Sequence, residues 1–409
     1  MLPHGITEAF VRAIPKTDLH VHLDGSLRIP TLIELARQEG VKLPSYEDAG
    51  LRELVFKDQY ANLMEYLQGF AYTVAVMQRP ENIERIAYEF ALDNLAEGVR
   101  YVEVRFGPQL HIHDQFDLRE VVASVARGMD RAKAEHNRTP AVADGEDLPF
   151  EFGIIVCALR WFNAGMSTYY RQLFRVMEYS RPKRVFAAAS LELARAATHL
   201  ADEEGLPIVG FDLAGAEAGN PSVDHREAFL HAHRHFLRKT VHAGEAYGPE
   251  SIFQAITQCH ANRIGHGTHL FSPEKIQDPD IADRERYVRQ LADYIASQRI
   301  TIEVNLTSNL QTLPEMTSVA QHPLGRMVHE EMSATICTDN RLVSNTSVTR
   351  EILLALEHLP IDRHQLRNLV IAGFKGSFFP GPYTLKRTYV RQVIDRYEAL
   401  EQAMLPPTR

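Results

Sequence analysis

Cysteine is scarce in this chain: three residues in 409, Cys157, Cys259 and Cys337, lie far apart. No disulfide framework or Cys-x-x-Cys site follows, and the usage fits a reducing compartment. No run of eighteen apolar residues is present, so a membrane-spanning helix is not expected. Met1 to Pro15 has no apolar signal-peptide core, which makes a cytoplasmic location the expectation. Surplus positive charge is missing too. A net charge of −9 argues against a nucleic-acid polymer or an anionic membrane as partner, though not against a nucleoside or nucleotide as a small ligand. No Gly-x-Gly-x-x-Gly follows the first strand and no Walker-type loop occurs, so dinucleotide and P-loop chemistry are not indicated. Internal repeats and low-complexity tracts are also absent.

What is present is ordinary globular composition, 45% hydrophobic and 24% charged, with alternating strand and helix signals. After a lead-in at 1–16, strands are expected at 17–23, 98–106, 150–159, 206–213, 237–242, 262–266, 300–306 and 334–338. Helical segments separate them, with a loop at 137–149 and a Gly/Pro-rich turn at 373–382. Eight short apolar strands divided by helices predict a (β/α)8 barrel, with an open doubly wound sheet as the competitor. The chain reads as a single domain over 1–409. A helical lid insertion is expected at about 27–97, and a C-terminal helical segment at about 348–409. The Phe56, Tyr60, Leu63, Leu67 and Phe70 series reads as core.

The first strand carries the motif His20-Val21-His22-Leu23-Asp24-Gly25. Side chains alternate along a strand, so His20 and His22 face one way. Alone, such a pair is more often a solvated strand face than a chelate. In a barrel, however, all strand carboxyl ends converge on one rim. There the chain places Asp212, Gly215 and Glu217, then His242 and Glu245, then His266, Asn305 to Asn309, and Asp339-Asn340. His20, His22, His242 and Asp339 would supply three imidazoles and a carboxylate, a set suited to Zn²⁺. Iron, cobalt and manganese remain open on ligand type alone. A bound metal would make its water a far better acid. Glu245, three residues past His242, would act as general acid and then proton shuttle. His266 would orient or deprotonate the water.

Three further features read as structural. His231, His233 and His235 fall on a helix, where residues two apart do not share a face. His111 and His113 follow the second strand with a weaker claim on a ligand. Cys337 reads as a packed thiol.

Together, His20 to Ser26, Asp212 to Gly215, Thr240 to Glu245, Arg263 to Gly267, Glu303 to Asn309 and Thr338 to Asn340 resemble the adenosine deaminase family of the amidohydrolase superfamily. The resemblance spans about 17–345 in family order. It implies a mononuclear zinc barrel enzyme with His20, His22, His242 and Asp339 as ligands. Glu245 would protonate purine N1 and His266 would assist the activated water. Addition at C6 followed by loss of ammonia would yield the 6-oxo purine. Gly215 would donate its backbone N–H to N3, and Asp24 would bond the ribose 5′-hydroxyl. The family often has two aspartates at the eighth strand. Here the second is Asn340, whose amide would still donate to N7. The expected substrates are adenosine and 2′-deoxyadenosine. The alternatives are another 6-aminopurine compound (adenine, an N6-substituted AMP or aminodeoxyfutalosine) and a non-catalytic binding protein on the same scaffold. Lys16 and Arg28 near the first motif are too few to argue for a nucleotide. The oligomeric state is not legible.

Overall fold

A computed structural model describes residues 5–407. The first four residues of the lead-in and the last two of the C-terminal segment lie outside the described residues. The eight strands are β1 (Lys16–His22), β2 (Val99–Phe106), β3 (Glu151–Leu159), β4 (Ile208–Ala214), β5 (Arg238–Ala243), β6 (Arg263–His266), β7 (Thr301–Val304) and β8 (Ala334–Ile336). Each pairs in parallel with the next, in chain order. Helices cover the outside, giving the expected (β/α)8 barrel.

Closure between β8 and β1 rests on one parallel bridge, Val21 to Asp339. Asp339 N–H donates to the His20 carbonyl at 2.8 Å, and His22 N–H donates to the Asp339 carbonyl at 2.7 Å. The seam of the barrel therefore holds three side chains of the site in register.

Period-two alternation divides the strands unusually. Leu19 and Val21, Val102 and Val104, and Ile302 and Val304 pack in the apolar core. Their neighbours Asp18, His20, Glu103, Arg105 and Glu303 are buried and polar. These meet across the lumen: Arg105 bonds Asp212 at 2.8 Å and Glu303 at 2.9 Å. Arg263 bonds Glu303 at 2.6 Å and also reaches Glu103. Charges out of water require such pairing.

Several boundaries differ from the sequence expectation. The lead-in contains the helix Glu8–Ala13, capped by the Thr7 hydroxyl, which accepts from Phe10 N–H at 3.1 Å. Lys16 turns its ammonium back onto the Val11 and Ile14 carbonyls at 2.6 and 2.8 Å, satisfying the helix end. The loop at 137–149 includes a short helix, Pro140–Ala143, with Pro at its first position. The helix Arg363–Gly376 runs through part of the expected Gly/Pro turn. Gly373 serves packing there: a Cβ would lie 2.1 Å from Thr17 Oγ1 and 2.6 Å from Thr335 Oγ1. The helix can approach the ends of β1 and β8 only without a side chain at that position.

Candidate metal centre and its cavity

His20, His22, His242 and Asp339 are buried and offer ligand atoms that all lie within 4.8 Å of one another. Asp339 Oδ1 stands 3.5 Å from His20 Nε2 and 3.6 Å from His22 Nε2. His22 Nε2 and His242 Nε2 are 3.2 Å apart.

Neighbours set the ring orientations. His20 Nδ1 donates to Glu303 at 2.8 Å, and His242 Nδ1 donates to Asp212 Oδ1 at 3.2 Å. Carboxylates in this position fix the tautomer that leaves Nε2 with a lone pair. Burial alone would raise both acids. For Glu303, Arg105 and Arg263 outweigh it; for Asp212, His242 and Arg105 do, and both carboxyls are held well below the usual range. Asp339 is likewise held low against burial, chiefly by His20, while its Oδ2 accepts from Ser308 Oγ at 2.6 Å.

These residues fit a metal ion. His20 Nε2 is buried without a hydrogen-bond partner. Three imidazole nitrogens and a carboxylate converging on one point are the donor types that Zn²⁺ and related transition ions take. A cation there would give the orphaned His20 nitrogen its partner and relieve the close approach of His22 to His242.

The cluster forms the floor of a cavity of about 320 Å³. Asp24, Gly215, Glu245, His266 and Asn340 line it with His22, His242 and Asp339. His20 sits behind the wall, fully buried. The structure thus gathers all nine sequence-derived positions at one site. Burial pushes the Glu245 carboxyl up to about 7 and pulls the His266 imidazole down to about 4. His266 Nε2 is 3.9 Å from Glu245 Oε1. Both Asp339 and His266 have positive φ, 60° and 64°. Non-glycine residues adopt this region at a cost, and such strain concentrates at functional sites.

The Glu245 turn is held by a residue to which the sequence attached no role. Glu217 accepts from the backbone N–H groups of Gly244, Glu245, Ala246 and Tyr247 at 3.1, 3.1, 2.7 and 3.0 Å. Asn340 Nδ2 donates to the Tyr66 hydroxyl at 2.8 Å. Its side chain also crowds Gly25, where a Cβ would meet Asn340 Oδ1 at 1.9 Å. The Asp-Gly pair after β1 therefore leaves room for the Asn340 amide as well as ending the strand.

The opposite wall comes from the segment after β1. Leu63, Tyr66, Leu67 and Phe70, on the helices Leu63–Gln68 and Phe70–Val76, line the cavity. Phe56 and Tyr60 are core, so the aromatic series divides between core and wall. Both roles demand apolar faces, and spacing cannot separate them. Trp161 also lines the cavity and is the sole tryptophan. Its emission should shift when a small ligand fills the cavity of wild type, with no such signal in Trp161→Phe; an unchanged wild-type spectrum at saturation would place the ligand elsewhere.

The features read as structural lie off the cavity wall. His111 is buried 3.4 Å from Gln78 Nε2, and His113 Nε2 bonds the Gln78 carbonyl at 3.0 Å. His231 Nε2 meets Thr198 Oγ1 at 3.1 Å on the helix Arg226–Arg234. Cys337 is a buried thiol in the apolar core. Lys16 caps a helix, and Arg28 pairs with Asp93.

A buried cluster of three imidazoles and a carboxylate on the carboxyl-end rim of a (β/α)8 barrel defines a metal-dependent barrel enzyme. The adenosine deaminase family model matches residues 15–395, and the chain belongs to that family. It is 36% identical over 371 residues to an adenosine deaminase of Mycolicibacterium vanbaalenii, covering 90% of this chain and 91% of that protein. Several solved structures share the fold, two of them as follows. The adenine deaminase of Arthrobacter aurescens has a TM-score of 0.72 at 22% identity, covering 94% of this chain and 100% of that one. An amidohydrolase from Burkholderia ambifaria, solved with bound Zn, has a TM-score of 0.73 at 19% identity, covering 98% and 97%. The chain is a hydrolytic deaminase acting on adenosine-like purines.

Proposed function

We propose that this enzyme converts adenosine and 2′-deoxyadenosine to inosine and 2′-deoxyinosine with release of ammonia, in the cytoplasm, using one zinc ion per chain. The observation that carries the reading is the makeup of the cavity. It opens on the histidine–aspartate cluster and on Glu245, and no lysine or arginine is among its described lining residues. A 5′-phosphate would find no cation there, whereas Asp24 Oδ1 is buried without a partner. A neutral nucleoside hydroxyl supplies the missing donor. A volume of about 320 Å³ suits a small ligand of this class.

His20, His22, His242 and Asp339 would hold the metal, which when bound acts as Lewis acid and activates water for attack. Glu245 donates its proton to purine N1, making C6 electrophilic. A carboxyl with a pKa of about 7 is substantially protonated at neutral pH, as that task requires. His266 assists the water from the other side. The Gly215 N–H donates to N3 and the Asn340 amide to N7. We read residues of about 27–97 as a lid within one domain spanning 1–409, with the helical segment of about 348–409 appended. Leu63, Tyr66 and Phe70 on the cavity wall support that role.

Ammonia release measured in parallel on adenosine, deoxyadenosine, adenine, AMP, N6-methyl-AMP and aminodeoxyfutalosine tests the assignment. The two nucleosides should show the highest kcat/KM; a higher value for any other compound would reassign the substrate, and no release from any would favour a binding protein. Asn340→Asp should change relative kcat/KM among the purines while zinc content stays constant. Unchanged preferences would mean that this side chain does not address the base.

A further inference from the structure

A chain of hydrogen bonds behind His266 determines which of its nitrogens carries the proton. It begins at a group that cannot change roles: the backbone N–H of Leu324 donates to His322 Nδ1 at 3.1 Å. His322 Nδ1 is therefore an acceptor, and the ring bears its proton on Nε2. That nitrogen lies 3.2 Å from Asn309 Oδ1, so it donates there. With Oδ1 committed to His322, the Asn309 amide is oriented, and its Nδ2 faces His266 Nδ1 at 3.0 Å. Asn305 Nδ2 approaches the same atom at 3.3 Å. A proton on His266 Nδ1 would point at the amide hydrogens of Asn309. His266 Nδ1 is thus an acceptor, and the ring proton sits on Nε2, on the Glu245 side of the ring. His266, Asn309 and His322 are all buried, so water does not compete for these bonds.

We infer that Asn309 and His322 are positioning residues that lock His266 in the Nε2–H tautomer. His266 then donates a hydrogen bond to the oxygen being added at C6 and does not remove its proton. This rests on the deaminase reading above and deepens it. The proton inventory closes without the imidazole. Glu245 gives its proton to N1, and the entering water loses a proton to the Glu245 carboxylate as the C–O bond forms at C6. Glu245 passes that proton to the amino group, which leaves as ammonia with the C–N electron pair. The remaining hydroxyl proton returns to Glu245 as the 6-oxo group forms. Burial pulls the His322 imidazole down to about 3, so that ring carries a single proton and the chain of bonds behind His266 starts from a fixed tautomer.

Two measurements test the inference. In 15N-histidine-labelled wild-type holoenzyme, NMR should report His266 with a protonated Nε2 and a bare Nδ1; the reverse pattern overturns the inference. This readout needs no turnover, so it stands even if adenosine is not the substrate. Asn309→Asp offers a carboxylate to both histidines and should pull the His266 proton to Nδ1. Reversing the tautomer in the serine-protease triad costs about 10⁴ in kcat. Here a loss of about 10²–10⁴ in kcat is expected, with KM and zinc content near those of wild type. If His266 is a general base, the same variant keeps or raises kcat, and the inference fails.

Discussion

Glu245→Gln should retain the metal content of the parent protein and lose about 10²–10⁴-fold in kcat, the usual contribution of a positioned general acid. Glutamine keeps the shape and a hydrogen-bond donor but has no proton to deliver to N1. The Glu217 cradle that holds this turn binds backbone N–H groups, which the substitution leaves untouched. Position is therefore preserved while acidity is lost, and KM should move by only a few-fold. Steady-state ammonia release together with metal analysis of the same preparation checks this. A near-normal rate would mean that some other group protonates the ring.

Asp339→Ala should lower zinc affinity by more than the roughly 10–100-fold typical of losing a group that merely orients a ligand. Turnover should fall in proportion to the lost metal. The backbone bonds of Asp339 to His20 and His22 survive the change, but its φ of 60° does not suit alanine. Asp339→Asn is the better-folded companion, because asparagine tolerates that conformation while offering only a neutral oxygen. Both variants should lose metal in dialysis against a chelator series under conditions where wild type keeps it. Unchanged retention in both would assign the fourth ligand elsewhere.

Much of this site is legible in the chain because barrel geometry turns scattered motifs into neighbours. His20 and His22 are two apart on a strand, and His242, His266 and Asp339 each fall at or just after a strand end. Once eight strands are counted, the rim follows. Strand ends are less legible. β7 stops at Val304 and β8 at Ile336, two residues short in each case, because Leu306 begins a helix and the chain after Ile336 turns in to bridge β1 at Asp339.

Other features depend on contacts that local pattern does not encode. Leu63 and Phe70 satisfy the same helical periodicity whether they face a core or a ligand. Gly373 looks like punctuation and is a packing contact. Arg105 and Glu303 resemble ordinary strand-face charges until Asp212, Arg263 and His20 close around them. The orientation of Asn309 depends on His322, thirteen residues away, and through it on the Leu324 amide.

We propose that His20, His22, His242 and Asp339 grip one ion on which deamination depends. The most direct test measures metal stoichiometry and adenosine turnover on one preparation before chelation, after it and on zinc add-back. One zinc per chain should be lost together with activity and restored together with it. Full turnover by the metal-free protein would contradict it.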